Sequence, residues 1–176
     1  MGAPMELRTA RAADASAVSA LHVESWRDAY AGMVDAAFLD DAIEPAVAAH
    51  WQDALRGRKR PGLVLVALTG WQMQGFFAGR VEGKVGHVDS LHVRPAMRGE
   101  GIGRALLGLG AQRLRQQGAA SAELWVFAAN RDAIRFYARL GGEAGPPGPR
   151  ASFGQELVQR RIAWPRIDAL IAACTG

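Results

Sequence analysis

Arg-Pro-Ala-Met-Arg-Gly-Glu-Gly-Ile-Gly-Arg (residues 94–104) is a glycine-rich turn between a β-like run, Val85–Val93, and a helix-like run at residues 104–117. Its three glycines let consecutive backbone N–H groups converge on one point. The first turn of the following helix adds its own unpaired N–H groups and the positive end of its dipole. Such a turn binds phosphate, so the sequence predicts a phosphorylated cofactor.

Two common classes of phosphate-binding loop do not fit the residues around the turn. A Walker loop ends in Gly-Lys-Ser/Thr, whereas Gly103 is followed by Arg104 and Ala105, so the lysine and the magnesium-binding hydroxyl are missing. The dinucleotide fingerprint is Gly-x-Gly-x-x-Gly. Here the spacing is Gly-x-Gly-x-Gly, and no βαβαβ pattern precedes it. The sequence therefore favours neither a nucleotide triphosphatase nor a Rossmann-type dehydrogenase.

The turn resembles the acyl-CoA-binding signature of the Gcn5-related N-acetyltransferases (the GNAT family), Arg/Gln-x-x-Gly-x-Gly/Ala, through Arg98, Gly101 and Gly103. A second block resembles the family's next segment, in which a strand ends at an Asn and a helix bearing Phe-Tyr follows. Its residues here are Leu124, Trp125, Val126, Asn130, Ala133, Phe136, Tyr137, Leu140 and Gly141. The family commonly continues with Phe where this chain has Gly142, so we expect an apolar anchor to be missing there.

The resemblance implies an α/β fold. It predicts a single domain with a mixed, mostly antiparallel central sheet of about seven strands and helices on both faces, in the order β-α-α-β-β-β-α-β-α-β-β. Residues 1–164 would form the N-acetyltransferase domain, and residues 165–176 a short C-terminal extension that is a candidate helix.

Residue patterns predict most of these elements directly. Strands are expected at residues 5–9, 63–68, 75–81, 85–93, 123–127 and 155–164, and helices after an N-cap at Asp14 and at residues 45–56, 104–117 and 132–140. Residues 35–41 are expected to interrupt the helical part, and the basic run at residues 56–60 to form a polar loop. Residues 141–154 are expected to be a loop, because the Gly-Pro-Pro-Gly-Pro run within them disfavours regular structure.

Composition narrows the class of protein. The chain has 176 residues, of which 49% are hydrophobic, enough for one buried core. Its apolar runs are well below the roughly 18 residues of a membrane span, and Glu6 and Arg8 stand where a signal peptide would be apolar. We therefore expect no membrane partner and a cytoplasmic location. The single cysteine, Cys174, excludes an internal disulfide, and the four histidines lack metal-ligand spacing, so no metal is expected.

The net charge is +4, and 19 of the 21 basic residues are arginine. These arginines are dispersed along the chain, which is typical of a solvated surface and does not favour a nucleic-acid partner. A modest positive field would still attract an anionic cofactor.

The resemblance implies that the cofactor is acetyl-CoA and places its contacts on this chain. Leu91, His92 and Val93 would offer backbone groups to the pantetheine amides and the thioester carbonyl, and Asn130 would bond the pantetheine arm from the other side. The pyrophosphate would lie on the turn. The remaining implied cofactor-binding residues are Arg98, Gly99, Glu100, Gly101, Ile102, Gly103, Arg104, Ala133 and Tyr137.

Tyr137 is the candidate general acid. A phenol has a reference pKa of about 10, so it stays protonated at neutral pH and donates to the leaving thiolate. The alternative is that Phe136 and Tyr137 pack against the sheet as an aromatic pair.

His87 and Asp89 are the candidate bases. Strand alternation places both on one face with Leu91 and Val93 unless a bulge intervenes, and a water chain to the backbone is the alternative route for the proton. Two further ionisable side chains near the motifs are expected to have no role: His92 is predicted to point outward, and Glu123 to be a surface charge.

Trp26 and Tyr30 are candidates for binding the acceptor by cation–π attraction, and their spacing fits a core-facing helical stripe equally well. The expected reaction is acetyl transfer to a small-molecule or peptide primary amine by direct attack in a ternary complex, because no cysteine lies near the motifs. Three alternatives stay open: a different acyl-CoA as the donor, a non-catalytic acyl-CoA-binding sensor, and an acyltransferase with a protein or tRNA acceptor. A homodimer through residues 165–173 is also open.

Overall fold

The computed structural model describes residues 4–57 and 62–176. The strands are β1 (Met5–Thr9), β2 (Leu63–Thr69), β3 (Gln72–Glu82), β4 (Val85–Val93), β5 (Ser121–Phe127), β6 (Glu143–Ser152) and β7 (Gln155–Trp164). The helices are α1 (Ala15–Ala29), α2 (Ile43–Arg56), α3 (Ile102–Gln116), α4 (Arg131–Arg139) and α5 (Ile167–Thr175). Most of the predicted polar loop, residues 58–60, lies outside the described residues.

In the described part of the chain, the strands form one seven-stranded sheet in the order β1-β2-β3-β4-β5-β7-β6, and β4–β5 is its one parallel pair. Helices cover both faces. Phe76 and Phe77 show how strand alternation builds two cores: Phe76 packs with α1 and α2, and Phe77 with α3, α4 and α5. We name these the α1/α2 core and the α3/α5 core. The predicted fold class is confirmed.

Glycines stand where helix α3 packs against the sheet, and a side chain at either of two positions would clash. A Cβ on Gly110 would lie 2.5 Å from the Phe77 ring, and one on Gly75 would lie 2.9 Å from Leu106 and 3.0 Å from the backbone oxygen of His92. The contact at Gly75 places the N-terminal half of α3 over the start of β3 and the end of β4. The site described below begins there.

Strand β6 corrects the predicted loop at residues 141–154. It pairs with β7 alone among the described strands, so it is an edge strand whose outer side needs no N–H donors. Pro147 and Pro149 are tolerated for this reason, and the pairing shifts register between Ala144 and Pro147. A Pro/Gly-rich run excludes a central strand but not an edge strand.

Two predictions in the helical part also need correction. Residues 35–41 do not interrupt it, because the chain is helical from residue 36 and passes through a π-helical turn, Phe38–Ala42, into α2. Asp14 occupies the predicted N-cap position of α1, but its carboxylate makes no capping bond to this helix: it accepts from the backbone N–H of Arg11 at 2.6 Å and from Arg8 at 2.8 and 3.0 Å.

Helix α5 packs on α3 and buries Ile167 and Leu170 in the α3/α5 core. Its assignment as an extension outside the domain stays a prediction, as does a dimer contact there. Within residues 4–57 and 62–176, no helix combines the length and the apolarity needed to cross a bilayer.

Candidate active site

The N-terminus of α3 opens onto a loop with free backbone N–H groups. Gly99 and Gly101 have φ of 88° and 79°, a region in which other residues are strained. The first intrahelical bond runs from the Ala105 N–H to the Gly101 oxygen, so the N–H groups of residues 102–104 have no acceptor within the helix. Together with the positive helix end, these groups form the anion cradle that the turn predicts.

Strands β4 and β5 separate next to this cradle. They pair as far as Val88 and Leu124, and beyond that point β4 keeps pairing with β3 alone, up to Val93. A cavity of about 1050 Å³ occupies the gap. Its walls include Ile102 and Tyr137 from the α3/α5 side and residues from the α1/α2 side as well. The cavity therefore reaches both faces of the sheet.

Among the implied cofactor-binding residues, the cavity wall includes the following: Leu91, His92, Val93, Arg98, Gly99, Gly101, Ile102, Gly103, Arg104, Asn130, Ala133 and Tyr137. Glu100 is exposed on the cradle loop and is absent from the wall.

Asn130 and Tyr137 bring α4 to the cavity. Asn130 is the N-cap of α4: its Oδ1 accepts the backbone N–H of Ala133 at 3.2 Å, so its amide NH₂ is left for other partners. Tyr137 is buried, with its ring centroid 5.1 Å from that of Phe136. Burial raises the pKa of Tyr137, and the neighbouring Tyr30 adds to the rise. The phenol therefore keeps its proton at neutral pH.

Trp26 and Tyr30 belong to the α1/α2 core and to the cavity wall at once. They are 3% and 9% exposed, and their ring centroids lie 5.1 Å apart in an edge-to-face contact. Burial raises the pKa of Tyr30 to about 12, against smaller opposing effects of Asn130 and Arg98. Their role in binding the acceptor stays a prediction.

A β-bulge divides β4 at Asp89, which has no partner on β3 within the described sheet although both of its neighbours do. The bulge resets the alternation of side chains. Leu91 and Val93 pack against the α3/α5 core, whereas His87 and Asp89 make their contacts on the other face. The sequence left open that a bulge would separate these side chains, and because a bulge is present the four do not share one face.

The two candidate bases differ in their access to the cavity. Asp89 lines it and forms an ion pair with Arg80. His87 does not line it, and its Nδ1 lies 3.2 Å from a Glu123 carboxylate oxygen. The Glu123 side chain is 14% exposed and also pairs with Arg161 at 2.5 Å, so its prediction as a surface charge is wrong.

His92 points inward, contrary to the prediction. Its Nδ1 lies 2.9 Å from Ser25 Oγ, and its ring centroid lies 4.6 Å from that of His22. Trp51 Nε1 donates to His22 Nδ1 at 2.9 Å, so a neutral His22 carries its proton on Nε2. Burial, with a smaller effect of Arg98, lowers the pKa of His92 to about 4, and burial lowers that of His22 well below its ordinary value. No grouping of metal ligands is found in the described residues.

The arginine side chains of the cradle bond to neighbouring elements. Arg98 forms an ion pair with Asp28, and its other terminal nitrogen lies 3.5 Å from Ser25 Oγ. Arg104 donates to the Ala173 oxygen at 2.9 Å, and its Nε is buried without a hydrogen-bond partner in the described chain. Free N–H groups, an unpaired guanidinium nitrogen and an adjoining elongated cavity fit an anionic cofactor with a long arm.

Sequence reasoning missed the β6–β7 hairpin as part of the site. Phe153 and Gly154 have φ of 47° and 75° and form a two-residue turn. The Phe153 ring packs against Trp26 and His22, with centroids 5.4 and 5.6 Å apart, and closes the α1/α2 side of the cavity. The one sequence signal was a Phe-Gly pair before a predicted strand, which does not show what the hairpin tip contacts.

Comparison with known proteins agrees with this geometry. Residues 15–142 match the sequence profile described as the Acetyltransferase (GNAT) family. The aminoalkylphosphonate N-acetyltransferase of Salmonella typhimurium is 34% identical over 138 residues, which are 77% of this chain and 83% of that protein. The chain belongs to the GNAT family of acetyltransferases. It is an N-acetyltransferase, and enzymes of this family use acetyl-CoA.

Two further similarities extend over nearly the whole chain. The N-acetyltransferase YuaI of Bacillus subtilis is 25% identical over 169 residues, which are 93% of this chain and 95% of that protein. The PaiA N-acetyltransferase of Thermoplasma acidophilum, solved in complex with coenzyme A, has a TM-score of 0.69 at 19% identity and covers 89% of this chain and 98% of its own. The latter similarity shows a shared fold. The family predicted from the two sequence blocks is confirmed.

Proposed function

We propose that this chain transfers an acetyl group from acetyl-CoA to a small primary amine by direct attack in a ternary complex. One observation carries the proposal: a single cavity runs from the cradle, through the gap between β4 and β5, to the opposite face of the sheet beneath Phe153. When bound, acetyl-CoA supplies the acetyl thioester and its thiolate leaving group. A donor held on the α3 side and an amine entering from the α1 side would meet in this gap.

The backbone is the main holder of the cofactor in this proposal. The N–H groups of residues 99–104 bind the pyrophosphate, aided by the dipole of α3. Leu91, His92 and Val93 pair with β3 but have no β5 partner in the described sheet, so the backbone groups that point away from β3 are available to the pantetheine amides. Asn130 lines the same gap next to Tyr30, and its amide NH₂ would bond the arm from the other side.

Tyr137 acts as the general acid. Its Oη holds a proton at neutral pH because burial raises the pKa of the phenol, and it lines the cavity. A buried neutral donor beside the leaving sulfur would protonate it, so that CoA leaves as a thiol and not as an unprotonated thiolate.

Asp89 removes the proton of the amine, directly or through water in the cavity. Its carboxylate lines the cavity wall, and Arg80 orients it. His87 is not favoured for this role because it lies outside the wall and is held by Glu123.

The acceptor side supports a small molecule rather than a macromolecule. Phe153 packs onto α1 and covers that side of the cavity. The similar Salmonella protein is named for a small aminoalkylphosphonate acceptor, which supports the same class here.

The test is release of free thiol from acetyl-CoA in the presence of a panel of amines. The chain has two tyrosines, and both line the cavity, so Tyr30→Phe is the matched control for Tyr137→Phe. We expect Tyr137→Phe to lower kcat by about 10²-fold or more and Tyr30→Phe to change it by less than about tenfold. Tight binding of acetyl-CoA without turnover of any amine would instead indicate a sensor.

A further inference from the structure

Arg150 of β6 stacks on Trp125 of β5 in the wall of the cavity. Its guanidinium carbon lies 4.5 Å from the centroid of the indole ring, and both side chains line the cavity. Trp125 is 38% exposed, unusual for a large aromatic side chain in the middle of a strand. Stacking restricts the guanidinium to one plane and leaves its N–H edge free to bind.

Among the described residues, no side chain neutralises the charge of Arg150. On the same face of the sheet, Arg161 pairs with Glu123 and Arg80 pairs with Asp89. Across the described ranges, no carboxylate lies within ion-pair distance of Arg150, and its guanidinium donates no hydrogen bond. An arginine held in place without an anion is suited to an anion from outside the chain.

The backbone beneath Arg150 is fixed as well. Gln159 of β7 is 4% exposed, and its side-chain NH₂ donates to the backbone oxygen of Arg150 at 3.3 Å. Phe153, three residues further along, is anchored on α1. Arg150 therefore stands on the acceptor side of the cavity, on the face of the sheet opposite to α3 and its phosphate cradle.

We propose that Arg150 binds an anionic group of the acceptor, so that the acceptor is an amine that also carries a carboxylate, phosphonate or phosphate. The inference rests on the acetyl transfer proposed above. The guanidinium fork matches two oxygens of such a group, and Trp125 shields one face of the pair from water. The phosphates of the cofactor do not account for this arginine, because their cradle lies on the other face.

The experiment compares matched amines that differ in the anionic group: 2-aminoethylphosphonate, β-alanine and ethylamine. Their kcat/KM values are measured with the wild type, Arg150→Gln, Arg150→Lys and Arg115→Gln. Arg115 lies on α3 and pairs with Asp168 at the surface, so its change removes the same charge away from the cavity. Binding of the same three amines to the CoA-bound protein, followed by calorimetry, gives a readout that needs no turnover.

We expect the wild type to prefer one or both anionic amines. Arg150→Gln should weaken their kcat/KM and binding by about 10- to 100-fold, mainly through KM, with ethylamine and CoA binding unchanged. Arg150→Lys should restore part of the loss, and Arg115→Gln should behave as wild type. The ratio between phosphonate and carboxylate identifies which group the site prefers.

The proposal would be overturned if ethylamine were acetylated as fast as its anionic counterparts, or if Arg150→Gln and Arg115→Gln lowered kcat/KM for the anionic amines equally. Either result would leave the proposed acetyl transfer unaffected. The absence of thiol release with every amine would count against the proposed function. In that case, binding of the anionic amines that depends on Arg150 would still support the anion site. Binding that does not depend on Arg150 would overturn the anion-site proposal. Circular dichroism and CoA binding establish that each variant is folded.

Discussion

His92 Nδ1 lies 2.9 Å from Ser25 Oγ, and this contact joins the end of β4 to the middle of α1 across the cavity. Ser25 is also approached by Arg98, which begins the acyl-CoA signature. One hydroxyl thus links the strand that is proposed to bind pantetheine, the helix on the acceptor side and the turn that is proposed to bind pyrophosphate. Burial keeps the His92 imidazole of this link neutral at neutral pH, which gives the first prediction.

Acid should destabilise the protein through its buried imidazoles. An unfolded histidine takes up a proton near pH 6.5, whereas His92 in the folded protein does so near pH 4. Between these values the unfolded state binds more protons, so the free energy of unfolding falls as the pH falls, by up to about 3 kcal/mol for His92 alone. His22 acts in the same direction.

Urea denaturation at intervals between pH 7.5 and 4.5 measures this slope. His92→Asn, which keeps a polar partner for Ser25, should show a shallower slope than the wild type. An unchanged slope in the variant would assign the acid sensitivity to other groups.

Substitution by alanine should lower the stability of the protein at one glycine of the signature and not at the other. Gly101 has a φ of 79° with open space around its Cβ position, so Gly101→Ala should lower stability by about 1–2 kcal/mol through backbone strain. Gly103 lies within α3, and a Cβ there would sit 3.5 Å from Val93 and 3.7 Å from Phe136, ordinary contact distances. Gly103→Ala should therefore leave stability unchanged or raise it by up to about 1 kcal/mol. Thermal unfolding compares the two, and equal losses would refute the assignment of strain to Gly101.

Gly142 should not tolerate any side chain. A Cβ there would lie 2.6 Å from Ile162, 2.8 Å from Trp164 and 3.0 Å from the backbone oxygen of Tyr137. We expect Gly142→Ala to lower the free energy of unfolding by about 1–3 kcal/mol, with partial recovery in the double variant Gly142→Ala, Ile162→Leu, because leucine lacks the Cγ2 methyl group that the added Cβ would meet. Denaturant titration of the variants tests this. A neutral Gly142→Ala would mean that the neighbouring strand adjusts freely.

Removal of the Asp89 carboxylate should impair catalysis more than removal of the His87 imidazole. Asp89→Asn keeps the shape of the side chain and should lower kcat by about 10²-fold or more, whereas His87→Gln should stay within a few-fold of wild type. The measurement is steady-state acetyl transfer as a function of pH. Similar losses in the two variants would disfavour Asp89 as the base.

The sequence predicted the family and fold because its two informative blocks are local. Turn, strand and helix signals around Gly101 and Tyr137 depend on neighbouring residues, and β4 and β7 are found with their predicted bounds. The β6 edge strand was missed for the opposite reason. Whether prolines are tolerated depends on where a strand lies in the sheet, which is a tertiary property.

Site geometry was harder to predict than fold. The bulge at Asp89 carries no signal of its own in a strand pattern, yet it decides which side chains of β4 face α3. The missing apolar anchor at Gly142 is supplied instead by Trp164, whose Nε1 donates to the Leu140 oxygen at 2.9 Å. Trp164 lies far along the chain from Gly142, so the local motif did not indicate that it would take the place of the missing side chain.

The passage of the cavity through the sheet has a consequence for the order of events in turnover. Cradle and hairpin lie on opposite faces of the sheet, so in the proposed mechanism the thioester donor and the amine reach the gap from different sides. The acetylated product would then leave on the α1/α2 side while CoA still occupies the cradle. CoA would then compete with acetyl-CoA but not with the amine, and the two substrates would be able to arrive in either order.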